Sequence, residues 1–193
     1  MGYFHTNNPP GGEICFWGSS IMKGYFKNPE KTKEAMTQDG WLLSGDVGVI
    51  LPNGAIKIVD RAKNIFKLSF GEYIAPEKLE NVYIQSEWIE QIWIHGDATK
   101  DFVLAFISCS VPRIEKWCKE NNKEFKQSDE ILDDSLKNAV FMDMVRLASE
   151  NQLNSLEKPG QLHLTLEVFS EANNLLTPTS KIKRHDAKKY FSQ

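Results

Sequence analysis

The sequence lacks several features that would assign it quickly to a functional class. Its apolar run at residues 102–107 is far too short to span a bilayer, and no apolar secretory segment stands at the N-terminus. None of its 193 residues form a phosphate-cradling GxxxxGK[S/T] loop. The formal net charge is only -3, so no global electrostatic field favours nucleic acid.

Cysteine and histidine are also scarce. Cys15, Cys109 and Cys118 are odd in number and lack the spacing of metal ligands, so a disulfide framework is not expected and a reducing compartment is. The four histidines have no ligand spacing with cysteine or acidic residues, and we predict no metal site. No Ser/His/Asp arrangement is suggested either.

What the first sixty residues do contain is a series of short β-rich runs separated by turns. We predict strands at residues 12–18, 41–43, 47–50 and 55–59. A helix is expected to begin at Asn28-Pro29, because asparagine caps helices and proline fits the first turn. This part is too small to close a core alone, so residues 1–60 are interpreted as the β-rich end of a larger domain.

Residues 61–193 have a different pattern, which predicts a compact α+β domain. Helices are expected from Pro76, from Pro112, over 135–152 and from about Asp186. The runs at 89–94 and 102–108 indicate an antiparallel hairpin, and alternation over 163–169 indicates a half-buried strand. We therefore predict a small antiparallel sheet covered by helices. Apolar positions assign four tryptophans to the core: Trp17, Trp88, Trp93 and Trp117.

Ser44-Gly45-Asp46 lies between two of the predicted strands. A turn there would place the Asp46 carboxylate at a strand end, where it could accept two hydrogen bonds from a ribose. The turn at Asn53-Gly54 can bring Asp46 and Arg61 to the same side of a hairpin. The simpler interpretation, that Asp46 only caps a β-turn, stays open.

Three further positions allow both a structural and a functional interpretation. Gly71 interrupts a strand-like segment, which indicates positive φ or a close backbone approach, in a tight turn or at a site. Lys63 is either a solvated loop lysine or part of a segment that changes its backbone angles. Lys181 belongs either to a basic surface tail or to a site where an ammonium stabilises a phosphoryl transition state.

Taken together, three segments resemble the last third of a fatty acyl-CoA synthetase of the adenylate-forming superfamily. They are SGDV at 44–47, DRAKNIFKLSFGEYIAPEKLE at 60–80 and LTPTSKIKR at 176–184. The resemblance extends from about Gly12 to Phe191, and the 60–80 segment is most similar to the long-chain branch. It implies that residues 61–193 are a mobile C-terminal lid domain, preceded by a remnant of the large N-terminal domain.

The resemblance also implies roles for the nucleotide-facing residues. Asp46 and Arg61 match the aspartate and arginine that bind the adenylate ribose, with Ser44 where threonine is commoner. Lys63 matches the hinge between the two domains. Lys181 matches the lysine that serves adenylation, although Ser180 stands where the family usually has glycine.

A second group is implied to serve thioester formation. Gly71 matches the glycine loop that lines the pantetheine tunnel, and Lys67 matches a lysine that assists this half-reaction. Tyr73 stands where some relatives carry an arginine near the CoA phosphates, which puts those contacts in doubt here.

The resemblance thus implies part of an ATP-dependent long-chain fatty acid–CoA ligase, which makes acyl-CoA, AMP and pyrophosphate through an acyl-adenylate. Its expected ligands are fatty acid, ATP, CoA and Mg²⁺, with the Mg²⁺ ligands in the missing N-terminal domain. We expect a piece of a longer protein that is inactive alone and does not bind nucleic acid. Its parent is expected inside the cell, in the cytoplasm or on the cytoplasmic face of an organelle membrane, and peripheral membrane association stays open.

Two alternatives remain at this point. The chain could be a stand-alone binding or regulatory module that acts through the basic cluster of Lys183, Arg184, Lys188 and Lys189. It could also belong to a ligase for another carboxylic acid, because no acyl pocket is present to define chain length. Oligomeric state is not determined by any of these patterns.

Overall fold

The computed structural model describes residues 2–126, 128 and 132–192, which pack into two compact units. Unit 1 extends to Phe66 and includes Tyr73–Ala75, and unit 2 comprises Lys67–Glu72 and the residues from Pro76 onward. Residues 61–66 therefore pack with the first unit, whereas the domain boundary was predicted after residue 60. That division into functional domains stays a prediction.

Unit 1 is built on a three-stranded antiparallel sheet. Its strands are β1 (Gly11–Phe16), β2 (Leu42–Ile50) and β3 (Ile56–Arg61), in that order, and helix α1 spans Pro29–Ala35. The Asn28 side chain accepts a hydrogen bond from the Lys31 backbone N–H at 3.0 Å. The predicted helix start at Asn28-Pro29 is confirmed.

Strand β2 differs from the prediction, because the two short strands expected at 41–43 and 47–50 are one continuous strand. Leu43 pairs with Cys15 and Val47 with Glu13, so residues 44–46 lie opposite the single residue Ile14. These three residues form a bulge rather than a turn between strands. Gly45 has a φ of 75°, which a residue with a Cβ adopts only at a cost.

The tryptophan prediction is wrong for Trp17 and confirmed for the other three. Trp88, Trp93 and Trp117 are buried, whereas Trp17 is 69% exposed. Trp17 lies just beyond the end of β1, with its ring centroid 6.3 Å from that of Trp41. An apolar residue at the end of a strand projects beyond the sheet, so its type alone does not place it in a core.

Two very short strands, β4 (Phe66–Lys67) and β5 (Tyr73–Ile74), pair with each other. The elements of unit 2 then follow in chain order. They are α2 (Pro76–Tyr83), β6 (Ile89–His95), β7 (Val103–Cys109), α3 (Val111–Glu120), α4 (Asp134–Glu150), β8 (Pro159–Thr165) and α5 (Arg184–Tyr190), with a 3₁₀ turn at Ser155–Glu157 before β8.

The sheet of unit 2 has the strand order β6-β7-β8 and confirms the α+β class. The predicted antiparallel hairpin is present as β6 and β7. However, β8 pairs with β7 in parallel, so the sheet is mixed rather than wholly antiparallel. Strand β8 spans Pro159–Thr165, so it both begins and ends four residues earlier than the predicted strand at 163–169. Pro159 is tolerated at the start of an edge strand.

Two groups of buried side chains hold unit 2 together. The first group is formed by one face of each of three helices: Leu79 and Tyr83 of α2, Ile114, Trp117 and Cys118 of α3, and Leu136, Val140, Met144 and Leu147 of α4. A second group, here called the C-terminal cluster, comprises Trp93, Phe169, Leu175, Leu176 and Ala187. Phe106, Ile182 and Phe191 pack against it, so the C-terminal segment is held by its own apolar contacts.

Candidate functional site

Asp46 and Arg61 lie directly opposite each other on β2 and β3. The Arg61 Nε donates to the Asp46 Oδ1 at 2.8 Å. The Asp46 side chain is 29% exposed and the Arg61 side chain 47%, so the ion pair reaches solvent and is accessible to a ligand. The structure therefore brings together the two residues that the sequence had placed on one side of a hairpin.

The backbone around Asp46 is held by hydrogen bonds on both sides of the bulge. The Asp46 N–H donates to the Ser44 hydroxyl at 3.0 Å, and the Gly45 N–H donates to the Glu13 carboxylate at 3.1 Å. The Ala62 N–H donates to the Gly45 carbonyl at 2.8 Å. These bonds hold the backbone of the bulge against β1 and against the residue that follows β3, beside the Asp46–Arg61 pair.

Lys63 is exposed and lies in the turn that follows β3. This turn is ordered by Asp60, whose buried carboxylate accepts from the Arg61 N–H at 2.6 Å and from the Asn64 amide at 3.2 Å. Sequence reasoning missed this role of Asp60. The Asp-x-x-x-Asn spacing was the available signal, because aspartate side chains commonly cap a following turn.

The segment 68–72, here called the glycine hairpin, is a three-residue β-hairpin loop within unit 2. The Leu68 N–H donates to the Glu72 carbonyl at 2.8 Å, and the Gly71 N–H donates to the Leu68 carbonyl at 2.9 Å. Gly71 has a φ of 92°, as its position in the sequence predicted. This is a type I turn followed by a left-handed residue, which explains the glycine without reference to a ligand.

Polar contacts hold the tip of the glycine hairpin. The Ser69 N–H donates to the Lys100 carbonyl at 3.0 Å, and the Ser69 hydroxyl bonds to the Asp101 carboxylate. Phe70 at the tip is 75% exposed. The exposed Lys67 precedes the loop, and its Cε lies 3.5 Å from where a Cβ on Gly71 would stand. Lys67 and Gly71 are therefore neighbours, as their shared predicted role requires.

Tyr73 is 40% exposed and belongs to unit 1. Its side chain lies against Gly2, where an added Cβ would come within 2.8 Å of the tyrosine Cβ. The structure thus shows a packing role for Tyr73 within unit 1, and its predicted proximity to CoA phosphates stays a prediction.

The segment 177–181, here called the lysine hairpin, has the same loop geometry as the glycine hairpin. The Thr177 N–H donates to the Lys181 carbonyl at 2.8 Å, and the Ser180 N–H donates to the Thr177 carbonyl at 2.9 Å. Ser180 has a φ of 58°. It occupies the left-handed position that glycine fits best, so glycine in the family motif has a conformational reason.

Lys181 is exposed, and the base of its hairpin is anchored. Leu176 pairs with Ile182 in a β-bridge, and the Lys183 N–H donates to the Leu175 carbonyl at 2.9 Å. Leu175 and Leu176 are both members of the C-terminal cluster. Within the described part of the chain, the Lys181 ammonium forms no ion pair. Its side chain can therefore reach an external anion while the backbone below it stays fixed.

Most of the basic cluster near the C-terminus is paired internally. Arg184 donates to both carboxylate oxygens of Glu80, Lys188 lies 3.8 Å from Asp97, and the Lys183 ammonium donates to Asn174. Sequence reasoning missed Glu80, which is 104 residues from its partner and carries no motif of its own. The ion pairs of Arg184 and Lys188 reduce the charge available for a phosphate or an acidic partner, whereas Lys183 keeps its charge because Asn174 is neutral.

His95 lies near this paired cluster. Burial lowers the pKa of His95 below its ordinary value, and the positive charge of Lys188 acts in the same direction. Asp97 opposes them, while Arg184 and Lys100 lower the pKa further. Since the surrounding charge is predominantly positive, the neutral imidazole is favoured here.

The described residues hold no group of three or more His, Cys, Asp or Glu side chains that could bind a metal ion. Across residues 2–126, 128 and 132–192, no helix is both long and apolar enough to cross a membrane.

Comparisons with known proteins show what the chain is similar to. No protein-family profile matches the chain. Human long-chain-fatty-acid–CoA ligase 6 is 44% identical over 182 residues, which are 94% of this chain and 26% of that protein. The homologues of this chain are thus long-chain fatty acid–CoA ligases, at about 43% identity. The chain spans about a quarter of the length of the curated relatives it matches.

Solved structures show the same fold. The adenylation domain of a carboxylate reductase from Mycobacterium chelonae has a TM-score of 0.83 and 29% identity, covering 99% of this chain and 28% of that one. A didomain of carboxylic acid reductase from Segniliparus rugosus, solved in complex with AMP, has a TM-score of 0.83 and 30% identity, over 99% of this chain and 25% of that one. A C-terminal portion of an adenylate-forming enzyme fits both sets of similarities.

Proposed function

We propose that this chain is the C-terminal part of an ATP-dependent long-chain fatty acid–CoA ligase. In this reaction a fatty acid carboxylate attacks the α-phosphorus of ATP, which releases pyrophosphate and forms an acyl-adenylate. CoA then attacks the acyl carbon as AMP leaves, and the thioester is formed. The observation that carries the proposal is the solvent-accessible Asp46–Arg61 pair on β2 and β3, in a chain homologous to such ligases.

Asp46 and Arg61 hold the ribose of the nucleotide in this proposal. An ionised carboxylate that accepts one hydrogen bond from Arg61 keeps further acceptor positions for two vicinal hydroxyls. The arginine keeps the carboxylate oriented and offers additional N–H donors. Lys63, in the exposed turn that follows, is the hinge at which the lid domain rotates.

Lys181 serves the adenylation step. Negative charge increases on the attacking and non-bridging oxygens in that transition state, and a positioned ammonium stabilises it. Lys67 and Gly71 serve CoA attack, for which a loop without a Cβ at Gly71 leaves room for the pantetheine chain. Tyr73 takes the place near the CoA phosphates where an arginine would have bound them directly.

Several requirements of the reaction lie outside this chain. Mg²⁺ neutralises phosphate charge in such reactions, and we assign its ligands to the remainder of the parent protein. The acyl pocket lies there as well, so the chain alone is inactive. We place the parent inside the cell, in the cytoplasm or at the cytoplasmic face of an organelle membrane.

The alternative of a stand-alone module acting through basic residues is less well supported. Arg184 has a partly buried ion pair with Glu80, and Lys188 lies 3.8 Å from Asp97, so these two charges are partly offset within the chain. Another carboxylic acid as substrate is opposed by the names of the curated relatives, which are long-chain ligases.

The test is Lys181→Ala in a full-length protein that carries this chain. Palmitate-dependent ATP–pyrophosphate exchange should fall by about 100-fold or more, because a transition-state contact is lost. CoA attack on supplied acyl-adenylate should be retained. Lys189→Ala is the matched control, an exposed lysine of α5. Equal loss of both half-reactions with Lys181→Ala, or an equal effect of Lys189→Ala, would contradict the proposal.

A further inference from the structure

One ion pair joins the helix that follows the glycine hairpin to the helix that follows the lysine hairpin. Glu80 lies in α2, and Arg184 is the first residue of α5. The two guanidinium NH groups of Arg184 donate to Oε1 and Oε2 of Glu80 at 2.8 and 2.6 Å. Two parallel hydrogen bonds fix the plane of the guanidinium as well as its distance from the carboxylate.

Glu80 is also bound to the sheet. Its Oε1 accepts from the Ile94 backbone N–H of β6 at 2.9 Å. The Glu80 and Arg184 side chains are only 13% and 21% exposed, and a second carboxylate, that of Glu77, lies 3.9 Å from Arg184. The Glu80 carboxylate therefore connects α2, β6 and α5. Because the pair is largely shielded from water, losing either partner would leave a partly buried charge without its counter-ion.

The chain between Arg184 and Lys181 has little freedom. Ile182 pairs with Leu176 in a β-bridge, and the Lys183 N–H donates to the Leu175 carbonyl at 2.9 Å. Lys181 itself closes the hairpin through its carbonyl, which accepts from the Thr177 N–H. A displacement of Arg184 would thus be transmitted through the two constrained residues Lys183 and Ile182 to Lys181.

We propose that Glu80 and Arg184 are positioning residues for Lys181. The pair fixes the direction in which the lysine hairpin presents its ammonium, without touching the substrate itself. This inference rests on the proposed role of Lys181 in adenylation. Because a misplacement of about 1 Å can cost on the order of 100-fold in rate, loss of the pair should slow adenylation selectively.

The experiment compares Arg184→Ala, Arg184→Lys and Glu80→Gln in a full-length protein that carries this chain. Arg184→Ala should lower palmitate-dependent ATP–pyrophosphate exchange by about 10- to 100-fold, mainly in kcat, and leave CoA attack on supplied acyl-adenylate within about threefold. Arg184→Lys keeps the charge but not the two parallel bonds, and it should recover part of the loss. Arg146→Ala is the matched control, since it removes an arginine paired with Asp143 and Glu150 on the exposed face of α4.

A second readout does not depend on activity. Amide hydrogen exchange at Lys181 and Lys183 should be faster in Arg184→Ala than in Arg146→Ala. The Lys181 N–H donates to the Thr177 hydroxyl and the Lys183 N–H to the Leu175 carbonyl, and both bonds would lose their support. Unchanged exchange at these amides, or equal loss of both half-reactions, would overturn the proposal. If Arg184→Ala does not fold, Glu80→Gln gives the same test, since its side-chain oxygen still accepts from Ile94.

Lys181→Ala, measured alongside, separates this inference from the proposed function. If Lys181→Ala leaves adenylation intact, the proposed role of Lys181 is wrong, and Glu80 and Arg184 then have no catalytic lysine to position. If Lys181→Ala stops adenylation and Arg184→Ala does not slow it, only the positioning role is wrong.

Discussion

The glycine hairpin and the lysine hairpin share one backbone hydrogen-bond pattern but have different residues at the position with positive φ. In each, the fourth residue has positive φ and its N–H donates to the carbonyl of the first. That fourth residue is Gly71 in one hairpin and Ser180 in the other. The loop geometry therefore follows from the hydrogen-bond pattern of the hairpin, and glycine lowers its cost without being required for it.

Unit 1 contains the same loop twice. In the hairpins at 37–41 and 51–55, the fourth residues are Gly40 and Gly54, with φ of 84° and 81°. Of these four hairpins among the described residues, three have glycine at the fourth position, and the lysine hairpin has Ser180 there. It stands beside Lys181, the residue proposed to act in adenylation.

The two hairpins of unit 2 also differ in how they are held. The glycine hairpin begins at the buried Leu68 and is held at its tip by Ser69. The lysine hairpin is held at its base, by Leu175 and Leu176 in the C-terminal cluster, and its tip is exposed. The comparison indicates that the two loops are anchored separately. Three substitutions test this difference.

Leu175→Ala should have the largest effect. Leu175 is 1% exposed, and truncating a buried leucine to alanine typically costs about 2–5 kcal/mol through lost burial and a residual cavity. Urea denaturation gives the free energy of unfolding, and amide hydrogen exchange should accelerate at 177–181 but not at 68–72. Leu68→Ala is the matched control and should show the reverse pattern. If either substitution loosens both loops, a single shared core holds them.

Gly71→Ala should have an intermediate effect. An alanine at a φ of 92° costs about 1–2 kcal/mol, and the added Cβ would meet only ordinary contact with Lys67 at 3.5 Å. The loss should therefore be conformational and visible as a lower urea midpoint. Gly12→Ala serves as control, because φ is not positive there and no neighbouring atom lies within 4 Å of the new Cβ. Equal losses at both positions would show that backbone conformation is not the cause.

Ser180→Gly should have the smallest effect and the opposite sign. Glycine removes the cost of a left-handed serine, but it also gains conformational entropy in the unfolded chain. We expect the free energy of unfolding to rise by about 0.5 kcal/mol or less, measured by urea denaturation. Thr179→Gly, one residue earlier and without positive φ, should lower it instead. A loss with Ser180→Gly as large as with Thr179→Gly would contradict this account.

Much of the fold was predictable because its signals are local. The helix at Pro29 and the hairpin of β6 and β7 follow from capping residues and apolar runs. Strand β2 was divided in the prediction because Ser44-Gly45-Asp46 has the composition of a turn, and a bulge has the same composition. The parallel pairing of β8 depends on a partner distant in sequence, which no local pattern encodes.

The candidate site was predictable to the same extent. Asp46 and Arg61 flank one hairpin, so their proximity followed from the turn at Asn53-Gly54. Glu80 and Arg184 meet only because α5 packs back onto α2, a tertiary relation across 104 residues. Charge alone also suggested a free basic tail, whereas the structure shows that Arg184 and Lys188 have acidic partners.

The Asp46–Arg61 pair beside the β2 bulge has a consequence for the proposed recognition of a nucleotide. Arg61 orients the Asp46 carboxylate within the chain itself. If the pair holds the ribose as proposed, a sugar diol that docks there does not have to freeze a loose side chain, so less entropy is lost on association. In that proposal, discrimination between a ribose and a deoxyribose rests on a preset geometry rather than on induced adjustment.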